Sequence, residues 1–488
     1  MTITSGSPAA EIELKLDVDP GAFAALCRLP VLAGIAADDR EQLATYYDTP
    51  DQTLSAAGIS LRVRRTGERH VQTVKAGGAA TAGMFARPEW EQDLAGPDPD
   101  VGESSPLRAL VDDSVVARIR PAFSVAVRRR SWQVEWADAA IELVADEGTA
   151  NANGRQAPVA EIEAELKCGS PDALFSLARA IGQHIPVRLG VLTKAERGFR
   201  LAGGQLNEPA KAQRVLLDPG MDVAEAFAAI VGACLRQFRL NEEALRTTPG
   251  ADALHQARVA LRRLRSALSI FKPVIADDRS AHFADELRLL ARSLGKARDL
   301  DVLVGRLGPN ADVNIQAAHG QAYAAALATL DSQRTRDLMI DLIEWISLGA
   351  WRTHPANPGA ITQPAREFAA AALKKLRGRL KKRGRQLGTL EDEDRHRVRI
   401  QAKKLRYAAE FFESLFTGKR ARRRYAKFRK RLARLQEHLG ELNDLATAPS
   451  LMKDLGLNHG SLPPDRRKAL LAKATKAHAA LMKAKRFW

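Results

Sequence analysis

The alternation of apolar and polar positions divides the chain into two parts with different predicted secondary structure. Between residues 11 and 200, short segments alternate apolar and polar residues with a period of two, which predicts β-strands. Residues 11–16 and 161–167 show this most clearly, because charged side chains occupy one face of each and aliphatic side chains the other. From about residue 213 the apolar positions recur every three to four residues, which predicts an all-α region.

The predicted strands carry charges of both signs on their polar faces. The basic positions are Arg62, Arg64, Lys75, Arg128 and Arg130. An antiparallel sheet with cross-strand ion pairs on its solvent face would explain the pattern without any ligand. However, Glu11 and Glu13 would repel each other unless a cation lay near them. A hard divalent ion held by carboxylates, with arginines binding phosphate oxygens opposite, is the second explanation.

A helix-length arrangement of basic residues occurs twice in the α-helical part. The two copies are His255, Arg258, Arg262, Arg263 and Arg265, and then His396, Arg399, Lys403, Lys404 and Arg406. In a helix the offsets 0, +3, +7 and +10 fall within roughly 80° of arc, so these positions share one face opposite the apolar residues. A solvated amphipathic helix would explain either copy alone, but a solvated face has no reason to repeat its histidine. We interpret both as anion-binding helices.

The repeat extends beyond the basic helices. Leu294-Gly295-x-x-Arg298-Asp299-Leu300 in the first copy corresponds to Leu439-Gly440-x-x-Asn443-Asp444-Leu445 in the second. Matches at both places indicate an internal duplication of a helical unit. The duplication predicts a two-part site for a polyanion.

Charge is distributed unevenly along the chain. The formal net charge is +17, yet residues 1–200 hold 22 Lys and Arg against 28 Asp and Glu, and the remainder holds 53 against 30. The part with the duplicated helices is therefore strongly basic, and its field would concentrate polyanions. Three scattered cysteines are too few for a disulfide framework or a zinc site. Because no apolar segment suits a signal peptide or a membrane span, we expect a soluble cytoplasmic protein without a membrane partner.

Seven segments of the strand-rich part resemble, in order, those of the CYTH, or triphosphate tunnel metalloenzyme, superfamily. They are Glu11-x-Glu13-x-Lys15, Tyr46-Tyr47-Asp48-Thr49-Pro50, Leu61-Arg62-Val63-Arg64, Arg87-Pro88-Glu89-Trp90-Glu91, Asp146-Glu147-Gly148, Glu161-Ile162-Glu163-Ala164-Glu165-Leu166-Lys167 and Lys194-Ala195-Glu196-Arg197. The resemblance covers about residues 8–202. It implies an eight-stranded antiparallel β-barrel that forms a tunnel with charged side chains inside.

The same resemblance implies roles for individual residues. Phosphate-binding residues would be Arg62, Arg64, Lys75, Arg87, Arg128, Arg130 and Lys194. The metal, Mg²⁺ or Mn²⁺ in its place, would be held among Glu11, Glu13, Asp146, Glu161, Glu163 and Glu165. Catalysis would involve Glu11, Glu13 and Lys15. Which arginine of 128–130 faces inward stays open at this point, because a slip of one residue reverses the two faces of a strand.

The duplicated helices resemble the CHAD domain over about residues 215–486. This resemblance implies two four-helix lobes that face each other across a basic groove for inorganic polyphosphate. The ligands would be the ten residues of the two basic helices, with Arg298, Asp299, Asn443 and Asp444 orienting them. The predicted architecture is thus an α+β multidomain chain with a tunnel domain at 8–202, a linker at 203–212 and a helical domain at 213–488.

The expected function is metal-dependent hydrolysis of inorganic triphosphate in the tunnel, with polyphosphate bound by the helical domain. Association with polyphosphate granules would follow. The alternatives are a noncatalytic polyphosphate-binding scaffold, a nonspecific nucleic-acid binder and a class IV adenylate cyclase-like enzyme. The basic helices contain few aromatic residues on which bases would stack, so nucleic acid is the second choice of partner. The oligomeric state stays open.

Overall fold

The computed structural model describes residues 11–77, 79–81, 83–103, 105–308, 313–355, 358–454 and 464–488. Over these residues an antiparallel β-sheet is followed by helices, which confirms the predicted α+β class. Among them, no helix combines the length and the apolar character needed to cross a membrane.

The strands of the described residues form one antiparallel sheet. In chain order they are β1 Glu11–Val18, β2 Asp38–Asp48, β3 Ile59–Thr66, β4 Arg69–Ala76, β5 Ala79–Thr81, β6 Met84–Arg87, β7 Glu89–Leu94, β8 Arg120–Trp136, β9 Ala139–Ala152, β10 Arg155–Cys168 and β11 Val187–Leu189. Neighbouring strands follow the order β5-β6-β1-β10-β9-β8-β2-β3-β4-β7, and β11 pairs with β1. Eight strands were predicted; the structure adds β5, β6 and β11, which are only three or four residues long.

Two tight turns set the register of the three longest strands. β8 and β9 are joined through residues 137–138, and β9 and β10 through residues 153–154, all with positive φ. Two-residue turns of this kind match the right-handed twist of the strands that they join. The resulting register places Asp146 opposite both Arg129 on β8 and Glu161 on β10. Side chains directly opposite each other in paired strands lie on the same face of the sheet, so these three do as well.

The α-helices of the described residues vary from one turn to ten. They are α1 Phe23–Leu26, α2 Thr53–Ala56, α3 Asp113–Val116, α4 Asp172–Gly182, α5 Lys194–Ala202, α6 Val223–Thr247, α7 Ala251–Phe271, α8 Asp278–Ser293, α9 Gly295–Leu307, α10 Val313–Asp331, α11 Gln333–Leu348, α12 Ala350–Thr353, α13 Pro358–Thr362, α14 Ala365–Arg383, α15 Asp392–Phe411, α16 Lys419–Asp454 and α17 Pro464–Met482. The two basic patterns lie on α7 and α15, each within one helix as predicted. The downstream repeats differ, since Leu294 separates α8 from α9 whereas Leu439 lies inside α16.

The chain divides into two compact units that do not follow chain order. One consists of Met1–Ala210, Leu235–Ala257 and Ala325–Gly349, and the other of Lys211–Cys234, Arg258–Ala324 and Ala350–Trp488. The first unit therefore contains the sheet together with parts of α6, α7 and α10 and the whole of α11. The division at residues 203–212 stays a prediction.

One helix covers part of the sheet in the first unit. α5 packs on β8, β9 and β10, where Phe199 meets the ring of Phe123 edge to face at 5.0 Å between centroids. Phe123 also stacks on Tyr46, with 4.6 Å between the ring centroids. Gly198 permits this close packing, because a Cβ atom at that position would lie 2.0 Å from the Phe123 ring. The first turn of α5 is thereby held against the inner face of the sheet.

Candidate active site

The sheet curls around a cavity of about 930 Å³ whose lining is densely charged. Seven basic residues line it, namely Lys15, Arg62, Arg64, Lys75, Arg129, Lys167 and Lys194. Seven acidic residues line it as well, namely Glu13, Glu89, Glu91, Glu142, Glu163, Glu165 and Glu196. Because these charges balance, an anion with several negative charges would bind best together with further cations.

Three carboxylates meet at Glu163, which lines the cavity. Asp146 on β9 and Glu161 and Glu163 on β10 each present an oxygen within 4.8 Å of the other two. Asp146 and Glu161 are each only 1% exposed. Buried carboxylates this close together persist only when cations compensate them.

Two lysines supply part of that compensation. Lys15 on β1 is 1% exposed and donates to Glu163 at 2.9 Å and also to Glu161. Lys194, the first residue of α5, lies 2.7 Å from Asp146 and 3.1 Å from Glu163, and it also contacts Glu161. Both ammonium groups therefore bridge carboxylates of the acidic cluster.

Arg129 supplies the third positive charge. Its Nε and Nη2 atoms donate to the two oxygens of Asp146 at 2.8 and 2.6 Å, which is the bidentate geometry that a guanidinium group favours. The same side chain lies 3.6 Å from Glu163. Three cations thus face three carboxylates.

These ion pairs keep the cluster charged at neutral pH. Burial alone would raise the pKa of Glu163, but Lys15 and Lys194 outweigh it and hold that pKa well below its usual range. Burial likewise lowers the pKa of Lys194, yet Asp146 and its neighbouring carboxylates raise it well above the usual value. Glu13 differs, because burial and the nearby Glu163 together raise its pKa. Of these groups, Glu13 is the one whose environment favours taking up a proton.

A second wall, formed by β3, β4 and β7, carries cations that pair with carboxylates of β7. Lys75 pairs with Glu89 at 2.5 Å, and Arg64 pairs with Glu91 at 3.2 Å. Arg62 lies 3.8 Å from Glu89. The pKa of Arg64 falls to about 10, through burial and the neighbouring guanidinium of Arg62. Crowded cations of this kind would be relieved by an anion.

The two arginines predicted on β8 lie on the wrong face for phosphate binding, which corrects that prediction. Arg128 and Arg130 both pair with Asp39, at 2.6 and 3.3 Å. Arg129 continues the buried apolar series of alternate residues that begins at Phe123 and so lies on the inner face. That series is the sequence signal that would have identified Arg129.

The other predicted residues are only partly brought together. Glu13 and Glu165 line the cavity, but Glu165 pairs with Lys167 at 2.5 Å and does not belong to the close cluster of carboxylates. The backbones of Glu11 and Arg87 pair across β1 and β6, and their side chains lie outside the described residues. Glu89 and Glu91 received no predicted role, although their spacing of two already placed both on one face of a strand.

The acidic cluster fits a divalent metal ion. Oxygen donors from carboxylates are those that Mg²⁺ and Mn²⁺ prefer. The Oε2 atom of Glu161 is buried and has no hydrogen-bond partner among the described residues. An unpaired anionic oxygen in such a place is costly unless a cation meets it. Asp146, Glu161 and Glu163 would hold such an ion.

The second compact unit contains a separate and almost entirely basic cavity of about 800 Å³. Its charged lining consists of Arg258, Arg262, Arg265, Arg288, Arg292, Lys296 and Asp299. Arg258, Arg262 and Arg265 lie on α7, as predicted. Arg288 and Arg292 on α8 and Lys296 on α9 were not predicted from the sequence. The spacing of four residues between Arg288, Arg292 and Lys296 is the sequence pattern that could have identified them as neighbours.

The two basic helices influence each other electrostatically. The pKa of Lys403 on α15 falls to about 7 through burial, Arg399 on the same helix and Arg262 on α7. Asn443 on α16 lies 2.7 Å from His396 Nδ1 and accepts from Arg399 at 3.3 Å. α7 and α15 therefore contribute to one electropositive region.

Two residues predicted on the basic faces of α7 and α15 do not lie on those faces. Arg263 is 2% exposed, with its guanidinium group 5.3 Å from the centre of the Phe411 ring, so it lies in the core and not on the basic face. The reason is that one residue beyond Arg262 is rotated by about 100° around the helix. Lys404 is displaced in the same way and contacts Ser269.

The positions of one further predicted residue on α15 and one on α7 are also described. Arg406 lies 3.7 Å from Glu410 on its own helix. His255 lies half-buried on α7.

Comparison with known proteins agrees with this organisation. The CYTH domain model matches residues 9–199 and the CHAD domain model matches residues 229–453. An inorganic triphosphatase of Haemophilus influenzae is 30% identical over 250 residues, which cover 49% of this chain and 69% of that protein. An uncharacterized protein of Mycobacterium tuberculosis is 29% identical over 459 residues, or 84% of both chains.

Among solved structures, the crystal structure of the CHAD domain from the plant Ricinus communis is 33% identical, with a TM-score of 0.44, and covers 57% of this chain and 93% of that one. Both domain models match in the predicted order, and more than two thirds of the Haemophilus protein is covered at 30% identity. The chain therefore belongs to the family of proteins in which a CYTH domain is followed by a CHAD domain.

Proposed function

We propose that this protein hydrolyses inorganic triphosphate, with a divalent metal ion, in the cavity of its β-sheet. The observation that carries the proposal is the cluster of Asp146, Glu161 and Glu163, whose oxygens lie within 4.8 Å of one another beside Arg129 and Lys194. Carboxylates for a metal ion and cations for phosphate oxygens are the two components that phosphoryl transfer requires. The triphosphatase named among the relatives supports the same reaction.

The residues of the chain have separable tasks in this reaction. A bound divalent ion supplies polarisation of the phosphoryl group and acidifies water. Arg62 and Arg64 bind the oxygens of the phosphate chain, and Arg129 and Lys194 neutralise the charge that develops on the transferring group. Glu13, with its raised pKa, takes the proton of the attacking water. Water adds to the terminal phosphorus, the anhydride P–O bond breaks, and phosphate and pyrophosphate result.

The cavity favours a phosphate chain over a nucleotide. Its lining in the described residues contains two aromatic side chains, Tyr46 and Phe199. Both are already engaged with Phe123, Tyr46 by stacking and Phe199 edge to face. An adenine ring would have to displace these contacts. A cyclase-like reaction on ATP is therefore the weaker alternative.

Phosphate release from tripolyphosphate, ATP and long-chain polyphosphate, with Mg²⁺ or Mn²⁺, tests the proposal. We expect release from tripolyphosphate to be the fastest and to be lost in Glu163→Gln. Arg128→Gln, on the outer face, is the matched control and should keep wild-type activity. No release from any substrate would leave a noncatalytic scaffold as the better account.

We propose in addition that the helical part binds inorganic polyphosphate. Support comes from the basic cavity of the second unit and from the lowered pKa of Lys403, since both indicate cations crowded together without enough anions. A phosphate chain binds to Arg and Lys donors of this kind and, having no bases, needs no aromatic side chains on which bases would stack. Nucleic acid would meet the same cations through its backbone and is the competing ligand.

Titration of the full chain with polyphosphate and with double-stranded DNA at two salt concentrations separates these ligands. Arg262→Glu and Arg292→Glu should weaken polyphosphate binding by tenfold or more. Arg423→Glu, on an exposed stretch of α16, is the control and should weaken it far less. Equal affinity for both ligands at both salt concentrations would contradict a polyphosphate-specific site.

A further inference from the structure

The loop before Lys194 is held by residues outside the sheet. Thr193 and Glu196 form a capping box that starts α5: the Thr193 hydroxyl accepts from Glu196 N at 3.1 Å, and Thr193 N donates to Glu196 Oε2 at 2.9 Å. Lys194 lies inside this box and extends from it to Asp146. The geometry of the box therefore decides where the ammonium group of Lys194 lies.

Arg236 on α6 contacts both sides of that box. Its Nη2 atom donates to Glu196 Oε1 at 2.8 Å, the oxygen that the capping bonds leave available. Its Nη1 atom donates to the carbonyl oxygen of Val191, two residues before Thr193. One guanidinium group thus joins the end of the loop to the first turn of α5.

Arg239, about one turn further along α6, holds the start of the same loop. Its Nε atom donates to the carbonyl oxygen of Leu189 at 2.8 Å, and the side chain is 2% exposed. The next residue, Gly190, donates from its backbone to the carbonyl oxygen of Lys15 at 2.8 Å. The loop is consequently fixed between the two lysines that bridge the acidic cluster. Residues 235–257 of the helical part belong to the same compact unit as the sheet.

We infer that Arg236 is a positioning residue for triphosphate hydrolysis, which acts through Glu196 to hold Lys194 against the acidic cluster. Arg236 lies in the helical part of the chain, outside the segment 9–199 matched by the CYTH domain model. The site in the sheet is therefore completed by a residue from the part that follows it. This inference rests on the proposed triphosphatase function, but the claim that Arg236 holds Lys194 in place can be tested without measuring activity.

Steady-state hydrolysis and the chemical reactivity of Lys194 test the inference in the full-length protein. Arg236→Gln should lower kcat/KM for tripolyphosphate by about tenfold or more, because a small displacement of a catalytic group is costly. Glu196→Gln removes the same contact from the other side and should reproduce the loss. Arg246→Gln is the matched control: Arg246 also lies on α6 and pairs with Asp19 and Asp331, at 2.7 and 2.9 Å. It should stay within about twofold of wild type.

Acylation of Lys194, followed by mass spectrometry and normalised to surface lysines, reports its position independently of turnover. It should be several-fold faster in Arg236→Gln and unchanged in Arg246→Gln. If Arg236→Gln matches the control in both rate and labelling, Arg236 has no positioning role, and the proposed function still stands. If the wild-type protein releases no phosphate, the proposed function fails and only the labelling of Lys194 tests the inference. Unchanged labelling in Arg236→Gln would then overturn the inference. Faster labelling in Arg236→Gln would support the claim that Arg236 holds Lys194 in place. Should Arg236→Gln not fold, Arg236→Lys and Glu196→Gln replace it.

Discussion

Arg129 holds the buried carboxylate of Asp146 through two hydrogen bonds of 2.8 and 2.6 Å, while the arginines on either side of it pair with Asp39. Arg129→Gln should lower kcat/KM for tripolyphosphate by about 10²-fold, the typical size of losing one charged donor aimed at the reacting group. Arg128→Gln should stay close to wild type. Steady-state phosphate release from the two variants makes this comparison, and equal losses would mean that the inner face of β8 is misassigned.

The acidic cluster should bind a metal ion without substrate. Adding Mn²⁺ to the wild-type protein should raise its melting temperature, because a ligand at 100 times its Kd stabilises the folded state by about 2.7 kcal/mol. Glu163→Gln should largely abolish this rise. Glu142→Gln, which lines the same cavity outside the close cluster, is the control and should keep it. Differential scanning calorimetry across a Mn²⁺ series measures both, and a wild-type-like rise in Glu163→Gln would argue against this metal site.

Polyphosphate binding should weaken as the pH rises from 6 to 8. The pKa of Lys403 is lowered to about 7 by burial and by Arg399, Arg262 and Arg406, with Asp444 acting in the opposite direction. Lys403 is therefore charged below pH 7 and largely neutral above it, and a polyanion favours the charged form. Binding at pH 7.5 should take up a proton, which calorimetry in buffers of different ionisation enthalpy detects.

Lys403→Arg provides the control for that pH dependence, since arginine stays charged over the whole range. The variant should bind with an affinity that depends much less on pH between 6 and 8. An unchanged pH slope in Lys403→Arg would assign the titration to a different group.

Close packing of α5 should be sensitive to a single methyl group. In Gly198→Ala the new Cβ atom would lie 2.0 Å from the Phe123 ring, so the helix must shift, at a cost of about 1–3 kcal/mol. We expect a lower melting temperature and, because Lys194 lies on the same helix, lower triphosphatase activity. Gly203→Ala is the control, since its nearest atom would be 3.5 Å away. Equal thermal stability of the two variants, measured by circular dichroism, would show that α5 tolerates the displacement.

Periodicity alone was enough to predict two of the three members of the acidic cluster. Glu161 and Glu163 alternate with aliphatic residues on β10, so their shared face follows from a period of two. Their meeting with Asp146 depends on the register of β9 and β10, which the turn at residues 153–154 sets. A family resemblance was therefore needed to name Asp146.

The errors on β8 and α7 have a common physical origin. On a strand a shift of one residue exchanges the faces, and on a helix it rotates the side chain by about 100°. The adjacent arginines at 128–130, like the adjacent Arg262 and Arg263, do not show by themselves which side chain faces the site. On β8 the alternate apolar residues that begin at Phe123 resolve it. On α7 the buried partner of Arg263, Phe411, resolves it, and that partner is distant in sequence.

Residues brought in by tertiary structure had the weakest sequence signal. Arg236 contacts Glu196 across 40 positions of sequence. Arg288 and Arg292 join α7 in lining one cavity only because α8 packs beside it. No local pattern predicts the contact of Arg236, and the four-residue spacing of Arg288 and Arg292 predicts a shared helix face but not that this face meets α7.

The most direct test of the central claim is phosphorus NMR of tripolyphosphate incubated with the full-length protein and Mg²⁺. We expect the signal of the middle phosphorus to disappear while pyrophosphate and phosphate form in a one-to-one ratio, and we expect Glu163→Gln to leave the spectrum unchanged. A wild-type spectrum that does not change, under conditions in which the metal ion demonstrably binds, would contradict that claim.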